Sequence, residues 1–360
     1  MNDLYNKIGD SEGASAVAVF LISIFVFGVF SPAILTLTTG AWINYFICSI
    51  PGFVLLSVIL KFYDIFGTEN SFYISKRLLG NGFSSAIFVL LCISLIFAIS
   101  SVLNISTSKI YEISNIKLNK NTIKFVTLIT AVICALNGAE GITRLSYIVF
   151  YVIIAVFGIL IFTSFDGIRS DNLFPVFGKN IITSVTPGAF SGLFGGFIIL
   201  FLMSDLYKCK KNLVSSTKKI FVISAIGCFV LVLWYMLCVP QSIAFDMNGD
   251  LGAVFTSTVS GRFFRRFEIF LIVLYLLLQI ISLCVGLYCL SKTFATIVGV
   301  NDFRPFVLSV SVLVLNISHY KIADALLPSL TVGFFLFLFV YLPCLMLINH
   351  FYVCDKGKKL

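Results

Sequence analysis

Residues 14–37 read ASAVAVFLISIFVFGVFSPAILTL, twenty-four positions without one ionisable side chain. As a helix rising 1.5 Å per residue this stretch is about 36 Å long, enough to cross the roughly 30 Å hydrocarbon layer of a bilayer. It is too long for the apolar segment of a removable leader, and a string of similar windows follows it, so it is expected to stay in the mature protein. Working outward, windows poor in charge recur at about 41–60, 83–108, 122–138, 145–165, 186–204, 220–240, 267–290, 305–319 and 327–351, which makes ten spans. Lipid cannot satisfy open backbone groups, so each should be helical. The expected fold is an all-α polytopic membrane protein in a single membrane domain covering residues 1–360.

Composition supports this and excludes alternatives. Apolar residues make up 59% of the 360 and charged residues only 11%, against about a quarter charged in soluble domains; too few polar side chains remain to cover a water-soluble surface. A membrane-embedded enzyme would need convergent nucleophile, acid or metal groups at depth, and the sequence shows none. Ten cysteines without a CxxC pair and two distant histidines, His319 and His350, point to no disulfide framework, no metal and no cofactor. The net charge of +9 is dispersed over short loops, which suits lipid headgroups rather than nucleic acid.

With the amino terminus placed in the cytoplasm, 15 Lys and Arg fall on the inner side and 10 on the outer. The bias favours both termini inside. The segment 168–185 divides the spans into two sets of five, 14–165 and 186–351, and 241–266 forms a long outer loop.

Two spans are interrupted at matching places, the first of each set. Gly28, Ser31 and Pro32 break the apolar run of the first, where Pro32 removes a backbone donor and clashes with the preceding turn. In the sixth, Pro187 precedes Gly188, Ser191, Gly192, Gly195 and Gly196. Paired interruptions of this kind characterise inverted-repeat transporters, in which unwound backbone near the midplane holds substrate and ions. The same residues also suit a small-residue packing face and an ordinary proline kink. If the backbone opens, freed carbonyls suit an ammonium and half-helix amides a carboxylate, so the ligand would be a small zwitterion. Candidate side chains from other spans are Ser100, Ser101, Asn104, Ser106 and Thr107 in the third and Gln279 and Ser282 in the eighth. For these, a bond to a carbonyl one turn back is the competing reading.

Three features, in order along the chain, resemble the spore germination permeases, the B subunits of bacterial spore germinant receptors within the amino acid, polyamine and organocation transporter superfamily. They are the interrupted first span around Phe27-Gly28-Val29, the stretch Asn172-Leu173-Phe174-Pro175-Val176, and Arg266-Phe267-Glu268 opening the eighth span. The resemblance implies a transporter-like fold with a 5+5 inverted repeat. It further implies a sensing role: binding of a nutrient germinant, an amino acid above all, in the spore inner membrane or cell membrane, together with an A subunit and a C lipoprotein. The alternative is a secondary amino acid transporter. Two positions depart from the family pattern. Tyr275 stands where a Trp is common, and joins the candidate ligand residues; Ile198, not an acid, follows Gly196-Phe197, which removes a possible counter-charge for an amine.

Overall fold

A computed structural model of the chain describes residues 9–67, 69–114, 119–176, 178, 182, 190–207, 210–254 and 268–357. Among these residues the regular structure is helical throughout. The first span begins as α1 (Asp10–Ile24), widens into a π-helical turn over Phe25–Val29 and resumes as α2 (Phe30–Leu37). Next come α3 (Ala41–Phe66), α4 (Ser71–Leu79), α5 (Asn81–Ser114), α6 (Lys120–Leu136) and α7 (Gly138–Thr163). The sixth span, as far as it is described, is a 3-10 segment Ser191–Phe197 running into the short α8 (Ile198–Leu202). The chain continues as α9 (Lys210–Cys238), α10 (Gln241–Asp246), α11 (Glu268–Val298), α12 (Arg304–Ile317) and α13 (Lys321–Gly357).

Each of the ten windows read from the sequence contains helix. Six stretches are long and apolar enough to cross a membrane: Ser11–Phe66, Asn81–Ile113, Gly138–Thr163, Val214–Cys238, Ile269–Val298 and Asp324–His350. The protein is therefore an integral membrane protein. The first stretch holds two of the expected spans, separated where Thr38 takes a positive φ of 51° and ends α2. Phe25 and Tyr45 lie twenty residues apart, about 30 Å along an unbroken helix, yet their rings sit 5.9 Å apart. The chain must fold back at residues 38–40, as the charge-free windows require.

Contacts between chain ends respect the alternation of sides. Lys109 meets Asp250 at 2.8 Å, and Lys124 Nζ donates to Ser318 O at 2.9 Å; all four belong to ends that the charge count assigns outside. Asp205 and Lys292, both assigned inside, pair at 2.7 Å. The stretch Asn172–Val176 lies over the first hairpin: Thr39 Oγ1 donates to Pro175 O, and Asn172 Nδ2 donates to Leu237 O at the end of α9 at 2.9 Å. Arg266 and Phe267 lie outside the described residues.

The glycines of the sixth span explain its tight seating. A Cβ on Gly195 would stand 2.1 Å from the main-chain oxygen of Thr331 in α13, and one on Gly192 would stand 2.5 Å from Thr331 Oγ1. On Gly196 it would meet Leu21 of α1 at 2.7 Å. The 3-10 segment thus lies wedged between α1 and α13 at distances only glycine permits, while Gly158 in α7 and Gly227 in α9 have open space around them. Gly195→Ala should destabilise the detergent-solubilised protein by roughly 1–3 kcal/mol, since the obstructing atom is backbone and cannot swing aside. Gly227→Ala should be neutral or stabilising by up to about 1 kcal/mol. Melting curves of the two variants measured side by side check this; equal effects would refute the close packing.

Candidate ligand site

Pro32 has no N–H to offer Gly28 O, and its ring crowds that carbonyl; the helix relaxes one turn earlier than the proline itself, across Phe25–Val29. There the Phe30 N–H, which in a regular α-helix would bond Val26 O, bonds Phe25 O instead. The interruption thus falls where the sequence places Gly28, and Ser31 and Pro32 belong to the resumed helix α2. Gly28 packs against α13, with 3.0 Å left between its would-be Cβ and Leu327.

The carbonyl released at Val26 faces a lysine. Lys109, five residues before the end of α5, is 8% exposed, and its Nζ donates to Ser31 Oγ at 2.9 Å and to Val26 O at 3.4 Å. The same ammonium pairs with Asp250 Oδ1 at 2.8 Å and lies 5.9 Å from the ring centroid of Tyr275, within cation–π range. Tyr275 OH donates to Asp250 Oδ1 at 3.0 Å, and the Gly252 N–H donates to Oδ2 at 3.2 Å. The result is a closed clasp of six groups drawn from the first, third and eighth spans and the loop after α10.

Local sequence puts Asp250 there. After α10 the residues Asn248 and Gly249 both take left-handed backbone, with φ of 51° and 66°, a pair of residue types that tolerates it. The Gly249 N–H caps the helix on Ala244 O at 2.7 Å. A Cβ on Gly249 would stand 2.9 Å from Ser31 O, so the turn presses directly on the start of α2 and delivers the next residue, Asp250, to Lys109. Burial opposes ionisation of the Asp250 carboxyl. The Lys109 charge, with hydrogen bonds from Lys109, the Gly252 N–H and the Tyr275 hydroxyl, outweighs that and holds the group below the ordinary carboxylate range.

One turn deeper on α11, Gln279 is fully buried and its Nε2 donates to Thr107 Oγ1 and Thr127 Oγ1, both at 3.1 Å. Its Oε1 has no hydrogen-bond partner among the described residues, and neither has the hydroxyl of Tyr235, a fully buried side chain on α9. Tyr235 interacts electrostatically with Asp250 and packs edge-on against Phe30, with ring centroids 5.1 Å apart. Two orphaned polar atoms, one acceptor and one hydroxyl, therefore accompany the clasp.

The remaining sequence candidates divide. Ser101 bonds Phe97 O one turn back at 2.8 Å, and Asn104 Nδ2 reaches Asp324 Oδ2, joining α5 to the start of α13. Gly192, Gly195 and Gly196 serve close packing as described above. Pro32 is exposed, Ser191 opens the 3-10 segment, and Gly188 lies outside the described residues. Where the first, second and sixth spans meet stand aromatic rings, with Phe25 stacked on Phe190 at 6.0 Å and Tyr45 edge-on to Phe190 at 5.3 Å. Of the candidates, Ser31 and Tyr275 meet at Lys109, and Gln279 meets Thr107 one turn further along α11. Sequence reasoning missed Lys109, which it took for a headgroup anchor, as well as Asp250 and Tyr235. The signal was present in Asn248-Gly249-Asp250, a tight turn delivering an acid just after the short helix α10.

A second polar group lies towards the other end of α11. Lys292 pairs with Asp205 at 2.7 Å, and Asn70 Nδ2 donates to Asp205 Oδ2 at 3.1 Å. Seventeen residues separate Tyr275 from Lys292, about 26 Å of helix. An ion pair thus ties the bundle together towards each end of this one helix.

The family model described as spore germination protein matches residues 14–325, most of the chain. No curated protein matches it. The clasp also fixes a pH dependence. A carboxyl whose folded pKa lies below its unfolded value of about 3.9 contributes stability in full above that pH, and loses it as pH falls through the folded value. The melting temperature of the purified protein should therefore show an acid limb below about pH 4 that diminishes in Asp250→Asn, whatever that variant's overall stability. An unchanged acid profile in the variant would contradict the ionised clasp.

Proposed function

Because this chain belongs to the spore germination protein family, a family of permease-like membrane proteins, we propose that it senses a small nutrient germinant, an amino acid, in the spore inner membrane. In this reading it acts with an A subunit and a C lipoprotein, and ligand binding shifts the balance between two arrangements of the bundle. The observation that carries the reading is the meeting of an interrupted first span with a buried cluster of opposite charges at one end of a bundle whose spans are otherwise almost free of charge. Buried ionisable groups in a membrane protein are costly and typically mark a functional path. A ligand shifts a conformational equilibrium only through differential contacts with the two states, and reversible ion pairs supply such contacts. We further read the chain as two five-span halves, 14–165 and 186–351, with the sixth span answering the first.

The interrupted spans equally suit a secondary amino acid transporter, and uptake separates the two. Vesicles holding this chain alone, given a mixture of radiolabelled amino acids and an imposed proton or sodium gradient, should show no accumulation above empty vesicles. Spores lacking the chain should fail to germinate on nutrients that trigger the parent strain. Robust gradient-driven accumulation would favour the transporter and count against sensing as the principal role.

A further inference from the structure

We propose that Lys109 and Asp250 are the charge-reading pair of the ligand site, and that without ligand each occupies the other's ligand position. This inference rests on the sensing reading above and specifies how its site works.

The argument starts from what the Lys109 ammonium touches. Its surroundings are a released backbone carbonyl at Val26, the Ser31 hydroxyl, a carboxylate and an aromatic face. That set of acceptors is what a free ammonium compound would seek in a membrane protein. The chain fills the position with its own side chain. Asp250 conversely holds three donors, the Lys109 ammonium, the Tyr275 hydroxyl and the Gly252 N–H, a set equally fit for the carboxylate of a small molecule. The loop after α10 thus inserts an acid, and the third span a base, as a self-contained mimic of a bound zwitterion.

The orphaned atoms show what the mimic leaves undone. Gln279 Oε1 and the Tyr235 hydroxyl are buried without hydrogen-bond partners among the described residues, and such groups are costly until a partner arrives. One is an acceptor suited to an N–H donor; the other is a hydroxyl able to donate to a carboxylate. A molecule carrying both an ammonium and a carboxylate can open the clasp with no net loss of charge pairing: its ammonium takes Asp250 and its carboxylate takes Lys109. A small, mostly apolar groove lined by Ile34, Leu35, Thr38, Met236, Val239 and Phe245 lies further along α2 than Ser31.

A ligand with a single charge gains no such exchange. An amine without a carboxylate leaves Lys109 buried and unpaired, and a carboxylate without an amine does the same to Asp250. Breaking a buried pair by removing one partner is strongly unfavourable, so single-charge analogues should act at least about 100-fold more weakly than the parent zwitterion. The clasp therefore sets specificity by demanding both charges at once, and holds the ligand-free bundle shut by satisfying both itself.

The test pairs stability with response. In purified protein, Lys109→Met and Asp250→Asn should each lower the melting temperature, and the double variant K109M/D250N should recover most of the loss, because no unpaired charge remains. Spores carrying the double variant should nevertheless need at least roughly 100-fold more of an equimolar mixture of the twenty common amino acids to germinate. A purely structural ion pair would let response recover along with stability, and that result would overturn the proposal. A second arm needs no variant: wild-type spores are given the most effective amino acid, then its des-amino acid and its decarboxylated amine. Equal potency of either analogue would also overturn the proposal. Wild-type spores answering glucose and no amino acid would refute the charge exchange and leave the sensing reading standing; spores indifferent to every nutrient would sink both.

Discussion

The Lys109 ammonium is the constraint around which one end of the bundle is arranged. A cation buried to 8% exposure among apolar helices is tolerable only if its donors are met. They are met by Val26 O, Ser31 Oγ and Asp250 Oδ1, with the Tyr275 face alongside. These partners come from the π turn, from α2, from the outer loop and from α11. Removing any one charge of such a pair typically costs about 3–5 kcal/mol, comparable to the net stability of many domains. The interruption of the first span belongs to this arrangement. Pro32 deforms the helix, the Phe30 N–H shifts from Val26 O to Phe25 O, and Val26 O becomes available to a side chain from another span.

α11 serves as the ruler of the molecule. Tyr275 and Gln279 lie one turn apart towards its amino-terminal end, and Lys292 lies about 26 Å further on beside Asp205 and Asn70. Between the two ion pairs the bundle is packed by rings and by the close seating of residues 191–197 on Thr331. Packed interfaces of this kind hold discrete arrangements rather than deform continuously. A bundle fastened by reversible charge pairs at both ends, and by glycine-dependent contacts in between, is suited to changing state when one pair is exchanged.

The membrane fold was legible because hydrocarbon imposes a simple rule: charge is absent for about twenty residues and then returns. That rule places the boundary between Leu37 and Ala41, where Thr38 turns the chain, and it places Lys292 with Asp205 on one side and Lys109 with Asp250 on the other. The paired interruptions were legible as well, since Pro32 and the glycines at 192, 195 and 196 have local consequences. Partnership was not. Lys109 and Asp250 are joined across 141 positions of sequence by the left-handed turn at Asn248-Gly249, and no periodicity encodes that pairing. A lysine at a span end reads as a headgroup anchor until the opposing loop is seen to cover it. Likewise a glycine row looks the same whether it lines a cavity or lies against Thr331 O.

The difference between the two glycine readings bears on where recognition can occur. Gly192 and Gly195 leave less than 3 Å for an added carbon, so their surroundings are already satisfied by van der Waals contact and a ligand there would have to displace the Thr331 side chain or its backbone. The clasp is satisfied too, but by side chains and a loop end, whose hydrogen bonds and charges another molecule carrying the same groups can replace. Recognition by exchange requires partners that can be given back. Lys109, Asp250, Tyr275 and Ser31 are such partners, and Gln279 Oε1 and the Tyr235 hydroxyl are buried nearby without a hydrogen-bond partner among the described residues. A site of this kind holds its closed state by the same interactions that it later offers to a ligand, so affinity is measured against the protein's own ion pair rather than against water. In the exchange proposed above, only a molecule matching both charges at the spacing of the broken pair wins that comparison, which would give a bundle with so few charged groups its chemical selectivity.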